Sequence, residues 1–148
     1  MQPIQVYYQM VENVIKELGV DPALCRGQNL GQWNMKLGSA SVWIDVFQSK
    51  DQNGNFIDGG YFQMMAPVMD VPTERQGEFF QELLEINHNL YGVAFTKFQN
   101  GIYIKSIREL DNLEQSEVMA TFNRVGRYAD QYDDVLKTKY TVAGRAPQ

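Results

Sequence analysis

The chain of 148 residues holds one cysteine, Cys25, and one histidine, His88. A lone cysteine excludes an internal disulfide and is expected of a reducing compartment. A lone histidine leaves few routes to a zinc site, which draws on several nitrogen or sulfur ligands. Positive charge is also in deficit, with 13 basic against 18 acidic residues and a net charge of −5. Such a surface repels phosphate backbones and anionic lipid on average, so neither nucleic acid nor a membrane is the expected partner. No apolar run approaches the roughly 20 residues of a membrane span. Residues 1 to 20 carry their charges along one helical face, with Lys16 as the first basic residue. This predicts neither secretory signal nor anchor, and hence a cytoplasmic protein. The glycine-rich patterns of dinucleotide sites, of phosphate-binding loops and of the serine-hydrolase elbow are missing as well.

What is present is a core. Hydrophobic residues make up 44% and aromatic ones 12%, the latter rich enough that they need an interior or an interface to hide in. The length suits one domain, expected over residues 1–140, with a frayed tail at 141–148.

Spacing along the chain sets the expected elements. Ile4, Tyr7, Tyr8, Val11, Val14, Ile15 and Leu18 recur every three or four residues, which predicts an amphipathic helix stopped by Gly19 and Pro22. Residues 21–31 read as a loop. Trp33 to Leu37 and Val42 to Phe47 alternate as two strands of a hairpin, and Asp51-Gln-Asn-Gly-Asn55 reads as a connecting turn. Gly60 to Met69 follows as a third strand. Its Pro67 donates no ladder hydrogen bond, so the strand is expected at an edge or bulged there. Thr73 with Gln76 has the spacing of a capping box opening a second helix, and Asn112 with Gln115 has it for a third, whose stripe is Val118, Phe122, Val125, Ala129, Tyr132 and Leu136. Between them, Asn100-Gly101 predicts a two-residue hairpin turn with Phe98 opposite Tyr103 and Lys97 opposite Ile104. The order α-β-β-β-α-β-β-α with short turns implies an α+β fold: an antiparallel sheet covered by helices.

Few residues offer chemistry. His88 lies in Leu83-Leu-Glu-Ile-Asn-His-Asn-Leu-Tyr-Gly92, where a helix should stop and an imidazole can face the last carbonyls. Cys25 has only Arg26 beside it to lower its pKa. Asp130, Asp133 and Asp134 share a helical face with a spacing that suits a hard cation, yet Lys137, Arg124 and Arg127 point to a solvated, ion-paired surface. A metal-dependent enzyme using His88 or this aspartate cluster, and a small-ligand sensor domain, are therefore the alternatives to a non-catalytic protein with no cofactor. Two apolar features exceed the needs of a simple core. The second helix spreads Phe79, Phe80, Leu83, Leu84, Ile86, Leu90 and Tyr91 over more than one face, which predicts a dimer interface at Phe79, Phe80, Leu83 and Ile86. The third strand puts Met64, Met65 and Met69 on both faces, and flexible thioethers suit a surface that repacks against a partner.

Four segments, Gly38-Ser-Ala-Ser-Val-Trp-Ile-Asp-Val-Phe47, Met65-Ala-Pro-Val-Met-Asp-Val-Pro72, Leu84-Glu-Ile-Asn-His-Asn-Leu-Tyr-Gly92 and Val125-Gly-Arg-Tyr-Ala-Asp-Gln-Tyr-Asp133, together resemble the YbjN family. The likeness runs from about residue 4 to 140. It implies a type III secretion chaperone-like fold, similar to Tir chaperone-type proteins, and a bacterial homodimer. In secretion chaperones proper a client segment wraps around the domain, so the resemblance also implies a protein client and a chaperone-like or regulatory role.

Overall fold

The computed structural model describes residues 2–141. It contains α1 (Ile4–Glu17), a 3-10 turn (Pro22–Leu24), β1 (Gln32–Leu37), β2 (Ala40–Phe47), β3 (Tyr61–Asp70), α2 (Gln76–Asn87), β4 (Ala94–Phe98), β5 (Gly101–Glu109) and α3 (Gln115–Tyr140). The order is the one the periodicity implies. The expected tail, from residue 142 onward, lies outside the described residues.

The five strands form one antiparallel sheet in the order β1-β2-β3-β5-β4. Strand β3 is therefore central, and the edge alternative for Pro67 is wrong. The bulge alternative is what occurs: the β3–β5 register shifts between Pro67 and Met69. On the other side, pairing of β2 with β3 ends at Trp43 and Met65, although both strands continue beyond it. Without an N–H at Pro67 the ladder has nothing to continue with there.

Two helix starts differ from expectation. Thr73 does not cap α2; the N-cap is Arg75, in a left-handed conformation, and the Gln76 side chain donates to the Pro72 carbonyl instead. For α3 the box lies two residues later than Asn112 and Gln115, with Glu117 accepting from the Glu114 N–H at 2.8 Å. Asn112 takes a left-handed turn just before it. Hairpin β4–β5 also turns one residue early, over Gln99-Asn100, so Phe98 pairs with Gly101 and Lys97 with Ile102. Tyr103 explains the shift. Its ring lies across Gly101, where a Cβ would come within 2.9 Å of it, and Gly101 is held in the ladder opposite Asp70. Phe98 still meets Tyr103, but diagonally, at 6.5 Å between rings.

Alternation builds the core. Val42, Ile44 and Val46 of β2, Phe62, Met64, Ala66 and Val68 of β3, and Ile102 and Ile104 of β5 are all buried on one sheet face. Helix α3 lies across them with Val118, Phe122, Val125, Ala129 and Leu136, and α1 packs on α3 and β2 through Val11, Val14 and Ile15. Helix α2 packs against β4 and is pinned to the end of α3 by Phe79 on Tyr140, rings 4.9 Å apart. The Tyr140 hydroxyl donates to Glu82, and burial with that carboxylate pushes its pKa up to about 12.

The segment before β1 is more ordered than a plain loop. Arg26 bridges to Trp33, the Gly27 N–H donates to Gln32 and the Asn34 N–H to Cys25, so residues 25–27 cover half of the β1 edge. This close fit depends on Gly31, whose φ is +81 and whose Cβ would lie 2.4 Å from the Val46 carbonyl and 2.9 Å from the Tyr8 ring. Gly31→Ala should lower unfolding free energy by about 1–3 kcal/mol. Urea denaturation followed by tryptophan fluorescence measures it; an unchanged midpoint would mean that the segment moves aside freely.

Candidate functional site

The residues with chemical potential are scattered. His88 is the exposed C-cap of α2, as its sequence context implies. The Cys25 thiol is buried against the Asp21 carbonyl, and burial, with Asp21 and Glu12 nearby, pushes its pKa up, opposite to what a nucleophile needs. Asp130 accepts a 2.6 Å hydrogen bond from Ser39, and Asp133 pairs with Lys137 at 3.3 Å. Among the described residues no three His, Cys, Asp or Glu side chains are grouped to hold a metal ion. Asp51 organises the turn before β3 by accepting from the Asn53 and Asn55 N–H groups.

The apolar candidates divide by depth. Phe79, Leu83 and Met64 lie in the protomer interior and form no surface, because α2 turns Phe79 and Leu83 toward Tyr140 and the core, and Met64 alternates onto the helix-covered sheet face. Phe80, Ile86 and Met69 are half-buried at its margin. Met65 alone of the methionines on β3 belongs to the other sheet face. Leu84 and Tyr91, both in the apolar spread expected of the second helix, are each 71% exposed; Leu84 falls with Phe80 and His88 on one outward stripe of α2, whereas Tyr91 lies beyond the helix end under the Arg124 guanidinium, 4.6 Å from its ring.

All the buried sheet residues face α1, α2 and α3, so the opposite face has no covering element among the described residues. Register reads as rows across it. Phe47 pairs with Tyr61 and then Glu109; Asp45 lies between Gln32 and Gln63, with Ile107 beyond; Trp43 lies between Asn34 and Met65, with Lys105 beyond; and Tyr103 lies between Pro67 and Thr96. Trp43 is 37% exposed and Ile107 48%. Aromatic contacts tie the rows together, Trp43 to Tyr103 and Phe47 to Tyr61 both at 5.6 Å. The result is a mixed face on which the cluster of Phe47, Tyr61, Trp43, Met65 and Tyr103 forms a platform interleaved with polar and charged groups. Its residues came from the polar half of each strand's alternation, which is why a search for core positions passes over them.

Asp45 stands in the middle of this platform. Burial pushes its pKa up, and the amides of Gln32 and Gln63 pull it back only in part. The Gln63 amide is 3.5 Å away, at the limit of a hydrogen bond. No cation lies within ion-pair distance of it among the described residues.

A separate cleft of about 410 Å³ opens between α1 and residues 26–33. Trp33 and Tyr8 meet edge to face there, and Glu12 accepts from both Arg26 and the Trp33 indole. The Arg26 guanidinium holds the Glu12 carboxyl below its usual range.

A family model described as "YbjN: Putative bacterial sensory transduction regulator" matches residues 8–138. Among curated proteins no sequence matches the chain. Solved structures share its fold at low identity. The ExsC-ExsE complex aligns with a TM-score of 0.67 at 11% identity, over 92% of this chain and 97% of that one. The HopA1-SchA chaperone-effector complex gives 0.60 at 10%, over 86% and 93%. The type III secretion chaperone SycH of Yersinia pestis, bound to a fragment of YscM2, gives 0.57 at 11%, over 84% and 98%. The chain thus has the type III secretion chaperone fold. No helix among the described residues is long and apolar enough to cross a membrane.

The raised pKa of Asp45 has a stability consequence of definite sign. Ionisation sets in later in the folded chain than in the unfolded one, so folding loses free energy as pH rises above the ordinary value of 3.8, and the loss persists at neutral pH. Asp45→Asn should therefore melt above wild type at about pH 7 and together with it at about pH 2.5. Scanning calorimetry at the two pH values tests this; a variant less stable at neutral pH would mean that the carboxylate has an attractive partner.

Proposed function

Because the chain belongs to the YbjN family and leaves one apolar sheet face bare, we propose that it is a non-catalytic, chaperone-like or regulatory module that binds a segment of a partner protein. The single observation that carries this reading is the platform of Trp43, Met65, Tyr103, Phe47 and Tyr61, partly exposed aromatic and thioether groups gathered on the sheet face opposite the helices. Fold neighbours described as a chaperone-effector complex and as a secretion chaperone bound to a protein fragment support it. The dispersal of His88, Cys25 and the three aspartates supports the absence of catalysis. Residues 1–140 act in this reading as one domain, in the cytoplasm.

The working unit is a homodimer. Its contact is the outward side of α2, where exposed Leu84 stands beside half-buried Phe80 and Ile86, with Tyr91 just beyond the helix end. Leu83, buried beneath them, supports the helix from inside. A small-ligand sensor is the second reading, favoured by the cleft beside Trp33 and Glu12.

Light scattering on the purified chain should give twice the 17.0 kDa protomer mass. Leu84→Glu should yield a folded monomer whose thermal midpoint is lowered only by the loss of association, whereas Leu83→Glu should unfold the protein by forcing a charge into the core. A wild-type monomer at tens of micromolar would reject the dimer. For the partner surface, a Trp43→Ser, Met65→Ser protein should keep its fold by circular dichroism and lose enrichment of displayed peptides that bind wild type. Equal enrichment on both would reject the platform.

A further inference from the structure

The open sheet face carries information about what it binds, because an acid, Asp45, stands between its two aromatic and thioether rows. Asp45 has amide neighbours on both sides, Gln32 and Gln63, and aromatic or thioether groups in the rows above and below, Phe47 with Tyr61 and Trp43 with Met65. Lys105 is on the same face but two strands away, about 10 Å at the ordinary strand spacing, and Lys36 lies farther along β1 in the direction away from Asp45. Glu109, at the end of the neighbouring row, adds negative charge on this side of the face. A half-buried carboxylate flanked by amides and aromatic groups, with no cation in ion-pair distance among the described residues, raises the free energy of the uncomplexed protein, and a complementary charge from outside relieves it. Guanidinium suits the site better than ammonium, since it binds a carboxylate through two parallel N–H groups and stacks on aromatic rings.

Row spacing defines the rest of the recognition element. Successive rows on one sheet face are two residues apart, about 6.8 Å, and side chains on one side of an extended segment repeat at the same interval. A segment laid along the strands presents residues i−2, i and i+2 to three successive rows.

We propose that the open sheet face binds an extended partner segment of the pattern apolar-x-Arg-x-apolar, with the arginine on Asp45 and the flanking apolar side chains on the Phe47–Tyr61 and Trp43–Met65 rows. This rests on the reading of that face as a partner surface and adds its specificity. The chemistry names the partner: a protein segment basic at one central position, matched to an acidic chain of net charge −5.

Selection of a displayed random peptide library on the intact wild-type protein, depleted against the Trp43→Ser, Met65→Ser variant, tests the pattern. Enriched peptides should share a central arginine with apolar residues two positions to either side, and selection on Asp45→Asn should lose the arginine preference. The leading peptide, synthesised with arginine or its neutral isostere citrulline, is then titrated by fluorescence polarisation. Citrulline should weaken binding to wild type on the order of tenfold and leave binding to Asp45→Asn unchanged. Peptides that require Trp43 and Met65 but bind equally with citrulline would overturn this inference while sparing the partner-surface reading. Failure to enrich any peptide over the depleting variant would overturn both.

Discussion

One sheet, covered by helices on one side only, is the constraint from which the rest follows. Helix α3 supplies the continuous apolar stripe that β2, β3 and β5 pack against, and α1 and α2 attach to the same side through Val11, Val14 and Ile15 and through Phe79. Burying a side chain such as Phe122 or Ile44 stabilises the fold by about 1.5–3 kcal/mol. That makes the covered face the source of stability. The other face carries aromatic and thioether groups that are held in place by the strands beneath them and are only partly covered among the described residues.

Irregularities in the sheet fall where they shape this platform. The bulge at Pro67 and Met69 ends β2–β3 pairing early and turns Met69 toward the core margin, so that Met65 remains as the thioether of the platform. Tyr103 lies over Gly101 and reaches both Trp43 and Phe98. Edges are partly closed: residues 25–27 shield half of β1, and the Asn87 amide both accepts from the Phe95 N–H at 2.7 Å and donates to its carbonyl at 3.3 Å, standing in for a strand beside β4. Devices of this kind restrain uncontrolled strand pairing and leave the face as the larger accessible surface.

The attachment of α2 separates its two sides by function. Toward the interior, Phe79, Leu83 and Tyr140 form a junction that the Glu82 carboxylate reinforces, accepting from the Tyr140 hydroxyl and pairing with Lys139 at 2.8 Å. Toward solvent, Leu84 is 71% exposed, Phe80 is half-buried with its ring 5.5 Å from that of Phe79, and Tyr91, beyond the helix end, lies under the Arg124 guanidinium. A helix with apolar residues on opposite sides is what a protomer joined to its own copy needs, and it accounts for the spread that was evident along this helix from sequence.

Element order, the helical stripe of α3, the alternation of β2 and the role of His88 as a helix end could all be read from local spacing, because each is set by contacts within a turn or a strand. Capping was misread at both helix starts: α2 begins at a left-handed Arg75 with no side-chain cap, and the box of α3 is formed by the Glu114 and Glu117 side chains instead of Asn112 and Gln115. The β4–β5 turn was misplaced by one residue because the ring of Tyr103 and the third strand, not the Asn-Gly pair, decide where Gly101 lies. The sequence by itself determined which residues are apolar, at what period they recur and which chemistry is missing. Only tertiary structure decided that β3 is central, that Met64 and Leu83 are interior while Met65 and Leu84 are not, and that Asp45 stands without a cation among aromatics. Those facts depend on which strand lies beside which and on the face the helices choose, and such long-range pairings leave no mark on local periodicity.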